Sequence, residues 1–133
     1  MRHQNHEKDN IKNTILKAVE NSDLVFITGG LGPTKDDQTK EAFAEAMDLE
    51  LIYSKEIENK LKNIFCNHQS NMTSNNLSQA YFPAGAEIID NNRGTAPALK
   101  VETKNKRFYL LPGVPSELKY LFKKKIESEL LNM

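Results

Sequence analysis

The chain has 133 residues with 18 basic and 18 acidic side chains, so its formal net charge is zero. That balance argues against a protein held to nucleic acid by bulk electrostatics, and with no long apolar run no membrane span or signal peptide is expected. The length suits one domain spanning 1–133, because a chain of this size buries roughly two thirds of the surface it exposes when unfolded. Cys66, the single cysteine, excludes an internal disulfide and suits a reducing, cytoplasmic compartment. Beside Ile64 and Phe65 it reads as a packing residue.

Taken in chain order, Glu7 to Glu20 carries Ile11, Ile15, Leu16, Ala18 and Val19 at helical spacing. Leu24 to Thr28 is a short run of β-branched and aromatic residues, expected as a buried strand. Thr28 to Thr39 then reads T-G-G-L-G-P-T-K-D-D-Q-T, and Lys40 to Met47 reads as a helix. Leu49 to Tyr53 alternates like a short strand. Lys55 to Asn67 places Ile57, Leu61, Ile64 and Phe65 on a helix with Ser54 as its N-cap. Asn67 to Asn76 is polar and reads as a loop, and Leu77 to Tyr81 as a helical turn. Glu87 to Asp90 is a strand. Leu99 to Thr103 and Arg107 to Leu111 form a hairpin around Lys104-Asn105-Lys106. Pro115 to Leu131 is the last helix, with Pro115 near its first position. Alternating helices and strands imply an α/β layered fold with a mostly parallel sheet and an antiparallel edge. No repeat or linker divides it.

The strand–loop–helix passage is the most informative stretch. Gly29, Gly30 and Gly32 allow positive φ and close approach of a ligand to the backbone. Leu31 lies between them. Pro33 stiffens the loop, while Thr34 and Thr39 offer hydroxyls to a ligand or to the helix start. Asp36 or Asp37 can cap the helix, or hold a divalent cation beside phosphate and orient a water. A glycine loop that feeds a helix start suits an anion. A tight turn before a capped helix is the plainer alternative. Three loops follow strands, after Ile27, Ile89 and Leu111, and would meet at the carboxyl ends of the strands. Thr95 can serve a phosphate or a turn. Arg93 can pair with phosphate or remain solvated. Pro112-Gly113-Val114-Pro115 can wall a pocket or join strand to helix. Glu117 complements the helix dipole or positions a metal. His3, His6 and His68 share no metal-ligand spacing, and Lys123-Lys124-Lys125 reads as a solvated helix face.

G-G-L-G-P-T-x-D-D-x-T is similar to a signature of the CinA family, whose N-terminal domain resembles the molybdopterin-binding domain of MoaB and MogA. Further matches follow in order: Ser22-Asp23-Leu24-Val25; Asn76 and Gln79-Ala80 followed by Pro83-x-Gly85-Ala86; Asn92-x-Gly94-Thr95-Ala96-Pro97; and Leu111-Pro112-Gly113-Val114-Pro115-x-Glu117. Two departures stand out, Ala98 in place of a glycine and Ser78 in place of a basic residue. The resemblance covers almost the whole chain from about Asp9. The family's opening strand, G-D-E-L-type loop, helix and second strand have no counterpart, so roughly the first third of the domain is expected to be absent. No C-terminal amidase domain is expected in the chain either.

The resemblance implies a three-layer α/β/α fold and a small phosphate-containing ligand. It implies ligand contacts at Gly29, Gly30, Leu31, Gly32, Pro33, Thr34, Thr39, Gly94, Thr95, Pro112, Gly113, Pro115 and Glu117. It implies catalytic and metal-holding roles for Asp36 and Asp37, with Mg²⁺, Mn²⁺ or Co²⁺, and a homo-oligomer. Three readings of function stay open: metal-dependent hydrolysis of an ADP-ribose-like pyrophosphate, binding of molybdopterin without turnover, and a truncated remnant with neither property.

Overall fold

The structure, a computed structural model, describes residues 2–32, 37–67, 78–91 and 96–133. Helix α1 spans Arg2–Asn21, starting earlier than the apolar spacing alone suggests. It packs on α2, Thr39–Met47, and Lys8 and Lys12 reach across to Glu45 at 3.0 and 3.5 Å. Strand β1 is Leu24–Thr28, as its β-branched run predicts, but it is not the buried strand expected: only Val25 is buried and Phe26 is exposed, because β1 stands at the edge of its sheet. Strand β2 is Leu51–Tyr53, and α3 is Lys55–Asn67. The expected cap of α3 is present: the Ile57 amide donates to Ser54 Oγ at 3.2 Å.

A 3₁₀ turn, Ser78–Ala80, leads into β3, Tyr81–Pro83. This strand escapes sequence reading because three residues ending in proline are too few to show alternation. It pairs antiparallel with β2, Leu51 opposite Pro83, in a separate two-stranded sheet.

The main sheet has the order β1-β6-β5-β4, with β4 at Glu87–Ile89, β5 at Ala98–Thr103 and β6 at Lys106–Leu111. Strands β1 and β6 are parallel, and β5 runs antiparallel to both β6 and β4. Three of the four strands therefore point the same way. The hairpin turn uses Lys104 and Asn105 at φ 54° and 63°, the left-handed pair that a two-residue turn between twisted strands requires.

Alternation along the strands divides the interior into two layers. Val25, Leu99, Val101, Phe108 and Leu110 face Ile15, Phe43, Met47 and Ile57 of the first three helices. Ile89, Ala98, Tyr109 and Leu111 face the last helical segment. The architecture is thus three-layered, α/β/α.

That last segment is not one continuous α-helix. It runs as α4, Pro115–Leu121, a π-helical stretch, Phe122–Ile126, and α5, Glu127–Leu131. Leu121 and Ile126 are both fully buried. Five residues apart, they would lie on different sides of an α-helix, and the wider π turn brings both onto the sheet. Of the Lys123–Lys125 run, Lys123 pairs with Glu127 at 3.1 Å and Lys125 with Glu87 at 2.9 Å.

Candidate functional site

The parallel pair β1–β6 ends with Thr28 opposite Leu111. There the Gly29 amide donates to the Leu111 carbonyl at 2.8 Å, carrying the ladder one residue past the strand. The loops after the two strands therefore touch. A Cβ on Gly113 would lie 3.2 Å from the Gly29 Cα. Strand β4 points the same way as β6, so the loop that follows it emerges at the same end.

These three strand ends surround a cleft of about 680 Å³, a size typical of small-molecule sites. The first loop contributes Gly29 to Gly32 and Asp37, the second Ala96, and the third Pro112 to Pro115 with Glu117. The expectation that loops distant in sequence converge on one crevice thus holds for their described residues.

The glycine loop is shaped by two left-handed residues, Gly29 at φ 86° and Gly30 at φ 72°. Gly30 also lacks room for a side chain: a Cβ there would stand 2.0 Å from Thr39 Oγ1. That hydroxyl donates to the Gly29 carbonyl at 2.8 Å, and the Thr39 amide donates to the Gly30 carbonyl at 3.2 Å. The start of α2 is thereby tied to the loop. Because the Gly29 amide belongs to the sheet, the amides that can meet an anion begin at Gly30.

Of the sequence-derived site residues, Gly29, Gly30, Leu31, Gly32, Asp37, Pro112, Gly113, Pro115 and Glu117 line the cleft. Leu31 also belongs to the core, at 4% exposure. Thr39 lies behind the loop, buried, with its hydroxyl on the Gly29 carbonyl. Pro33, Thr34, Asp36, Arg93, Gly94 and Thr95 lie outside the described residues. Of the two proposed caps for α2, Asp37 does not serve. The N-cap is Gln38, which makes no side-chain cap bond; the loop enters the helix one residue later than the acidic pair suggests.

Asn91 went unnoticed in the sequence. Its Nδ2 donates to the Ala96 carbonyl at 3.0 Å and to Glu117 Oε1 at 2.7 Å. The nearest sequence signal is the second-loop motif, read there from Asn92, and adjacent asparagines give no basis for choosing between them. Lys40, the residue after Thr39, sits 4.7 Å from the centre of the Phe82 ring. Burial pushes its ammonium down to about 8, against the pull of Glu41.

Asp37, from the first loop, and Glu117, from the first turn of α4, both line the cleft. A Mg²⁺-type ion is usually held by one or two protein carboxylates together with a ligand's own oxygens. Among the described residues, no group of three or more His, Cys, Asp or Glu is arranged to hold an ion alone. Among them, too, no helix is long and apolar enough to cross a membrane.

Fold and cleft define a three-layer α/β protein with a glycine-loop pocket at the strand ends. The chain belongs to the family described as "Probable molybdopterin binding domain", which matches residues 1–132. It is 42% identical over 123 residues to a CinA-like protein of Syntrophomonas wolfei, covering 92% of this chain and 30% of that protein. It is 44% identical over 108 residues to a protein of Acetivibrio thermocellus described as competence-damage inducible, covering 81% of this chain and 26% of that one. The chain therefore spans less than a third of the length of these relatives. The crystal structure of the protein CinA from Thermoplasma acidophilum superposes with a TM-score of 0.81 at 35% identity, covering 91% of this chain and 71% of that one.

Proposed function

We infer that the cleft binds a small ligand through a phosphate or pyrophosphate group, and that the chemistry suited to it is metal-dependent hydrolysis of an ADP-ribose-like pyrophosphate. The observation that carries this reading is the meeting of Gly30 to Gly32 with two carboxylates, Asp37 and Glu117, in one cleft. Glycines let an anion approach the backbone, and carboxylates beside it recruit the cation that offsets phosphate charge. Bound there, a divalent cation would neutralise developing charge on the pyrophosphate oxygens.

In this reading Asp37, with Asp36 beside it in sequence, would hold or orient the ion and the attacking water. Water adds to one phosphorus, the bridging P–O bond breaks, and AMP and ribose 5-phosphate leave. Gly113, packed against Gly29, and Pro115 also line the cleft.

A second reading, binding of molybdopterin without turnover, is favoured by the description of the family itself. Both readings use the same phosphate-directed loop and differ in whether a bond is broken.

The test is incubation of the purified chain with ADP-ribose and Mg²⁺, Mn²⁺ or Co²⁺, with AMP as product. AMP release is expected, and it should disappear in Asp36→Asn with Asp37→Asn. Tight binding of molybdopterin with no AMP formed would select the second reading. Binding of neither ligand would overturn the assignment of the cleft.

A further inference from the structure

Asn91 stands at the end of β4, outside the wall of the cleft, yet it touches two parts of it at once. One Nδ2 donates to the Ala96 carbonyl at 3.0 Å and to Glu117 Oε1 at 2.7 Å. Ala96 and Glu117 both line the cleft. Ala96 closes the second loop, whereas Glu117 lies in the first turn of α4, 26 residues beyond Asn91 in the chain. This one side chain joins them.

We propose that Asn91 is a positioning residue, which fixes the Glu117 carboxylate at the cleft and locks the base of the 91–96 loop to the start of α4. The proposal rests on the reading of the cleft as a phosphate and cation site. A flexible glutamate has three side-chain torsions to settle before it can meet a ligand, and a hydrogen bond from a neutral donor to a carboxylate settles them. Asn91 takes Oε1, so Oε2 is the oxygen left to meet a cation or a water. The amide is suited to this task because one nitrogen supplies two N–H groups. An aspartate of the same shape would turn an acceptor toward the carboxylate and the carbonyl alike.

The experiment is a double-mutant cycle on Asn91→Ala and Glu117→Ala, with Asn91→Asp as the isosteric variant. The probe is ADP-ribose with Mn²⁺, its affinity measured by calorimetry, and thermal unfolding is recorded for each protein. Each single alanine variant should weaken binding roughly tenfold. The double variant should be no weaker than Glu117→Ala alone, because Asn91 acts through that carboxylate. Asn91→Asp should bind no better than Asn91→Ala, and, because it faces Glu117 with a like charge, it should unfold below the wild-type temperature. Additive losses, or wild-type affinity in Asn91→Asp, would overturn the proposal.

If the wild-type chain binds no ADP-ribose, the pyrophosphatase reading of the cleft fails and the clamp is judged on its own. The side-chain amide protons of Asn91, followed by NMR, should move and exchange faster in Glu117→Ala. Unchanged amide signals would overturn the positioning role.

Discussion

Gly30 shows how a single residue can be set by two separate demands. Its φ of 72° lies where side chains are strained, and the space a Cβ needs is filled by Thr39 Oγ1 at 2.0 Å. Gly29 has the same handedness but nothing within 4 Å of its would-be Cβ. Gly29→Ala should therefore cost about 1 kcal/mol, from backbone strain alone, and Gly30→Ala about 2 kcal/mol or more. Urea unfolding checks the order; equal costs would mean that the loop relaxes away from Thr39. Lys40 makes a prediction of a different kind. Folding lowers its pKa from 10.5 to about 8, chiefly by burial. Below pH 8 it is charged in both states and the folded chain bears the desolvation. Between about 8 and 10.5 the unfolded chain holds the extra proton, so stability from this group rises with pH across that window and is lost again as pH falls through 8. Wild type should thus gain on Lys40→Met between pH 7.5 and pH 10 in paired urea titrations. A constant gap would mean that the Phe82 ring face offsets the burial.

Among the elements, β6 carries the most consequence, because it has a neighbour on each side and a core on each face. Its Tyr109 is fully buried, stacks on Phe26 with ring centres 5.5 Å apart, and donates to Glu129 Oε1 at 2.6 Å. Lys100 lies 3.4 Å from the same oxygen. A residue of the central strand is thereby joined to α5, beyond the π turn. Tyr109→Phe should cost about 1.5–3 kcal/mol, since a bond to a charged acceptor in a buried setting is lost. Burial, and then the Glu129 bond, push the phenol from 10.0 up to about 12. The raised value means that this stabilisation is complete below pH 10 and is lost as pH rises through 12. The destabilisation in Tyr109→Phe should accordingly be constant from pH 6 to 9 in urea titrations. A cost that varied within that range would point to another group.

For the whole molecule, the outer edge of β1 is the feature with consequences. Leu24 to Thr28 contains no charge and no proline, the devices that commonly protect an edge strand. Phe26 is 42% exposed. Apolar grooves flank the strand on both faces, one including Phe26, Leu111, Leu118 and Phe122, the other Ile11, Ile15 and Phe26. Such an edge favours pairing with a second copy, most simply about a two-fold axis. Light scattering across a dilution series should give a mass above 15.1 kDa that falls on dilution, and Phe26→Lys should hold the chain at monomer mass. A wild-type monomer at micromolar concentration, with a cooperative thermal transition, would mean that the domain is closed without a partner.

Much of this protein was legible from local chemistry. The apolar run at Leu24 to Thr28 determined a strand, Ser54 determined the start of α3, and Lys104-Asn105-Lys106 marked the hairpin, because each depends on neighbours in the chain, though Lys106 belongs to β6 and the turn itself has two residues. Left-handed geometry at Gly29 and Gly30 was legible for the same reason. Non-local forces decided the rest. Three residues of β3 became a strand only because β2 was there to pair with. The π turn arose because Leu121 and Ile126 had to reach one sheet. Thr39 turned away from the cleft because the Gly29 carbonyl, ten residues earlier, offered its hydroxyl an acceptor. Asn91 acquired its place beside Glu117 only once β4 and β6 ran in the same direction, bringing two strand ends together at one end of the sheet.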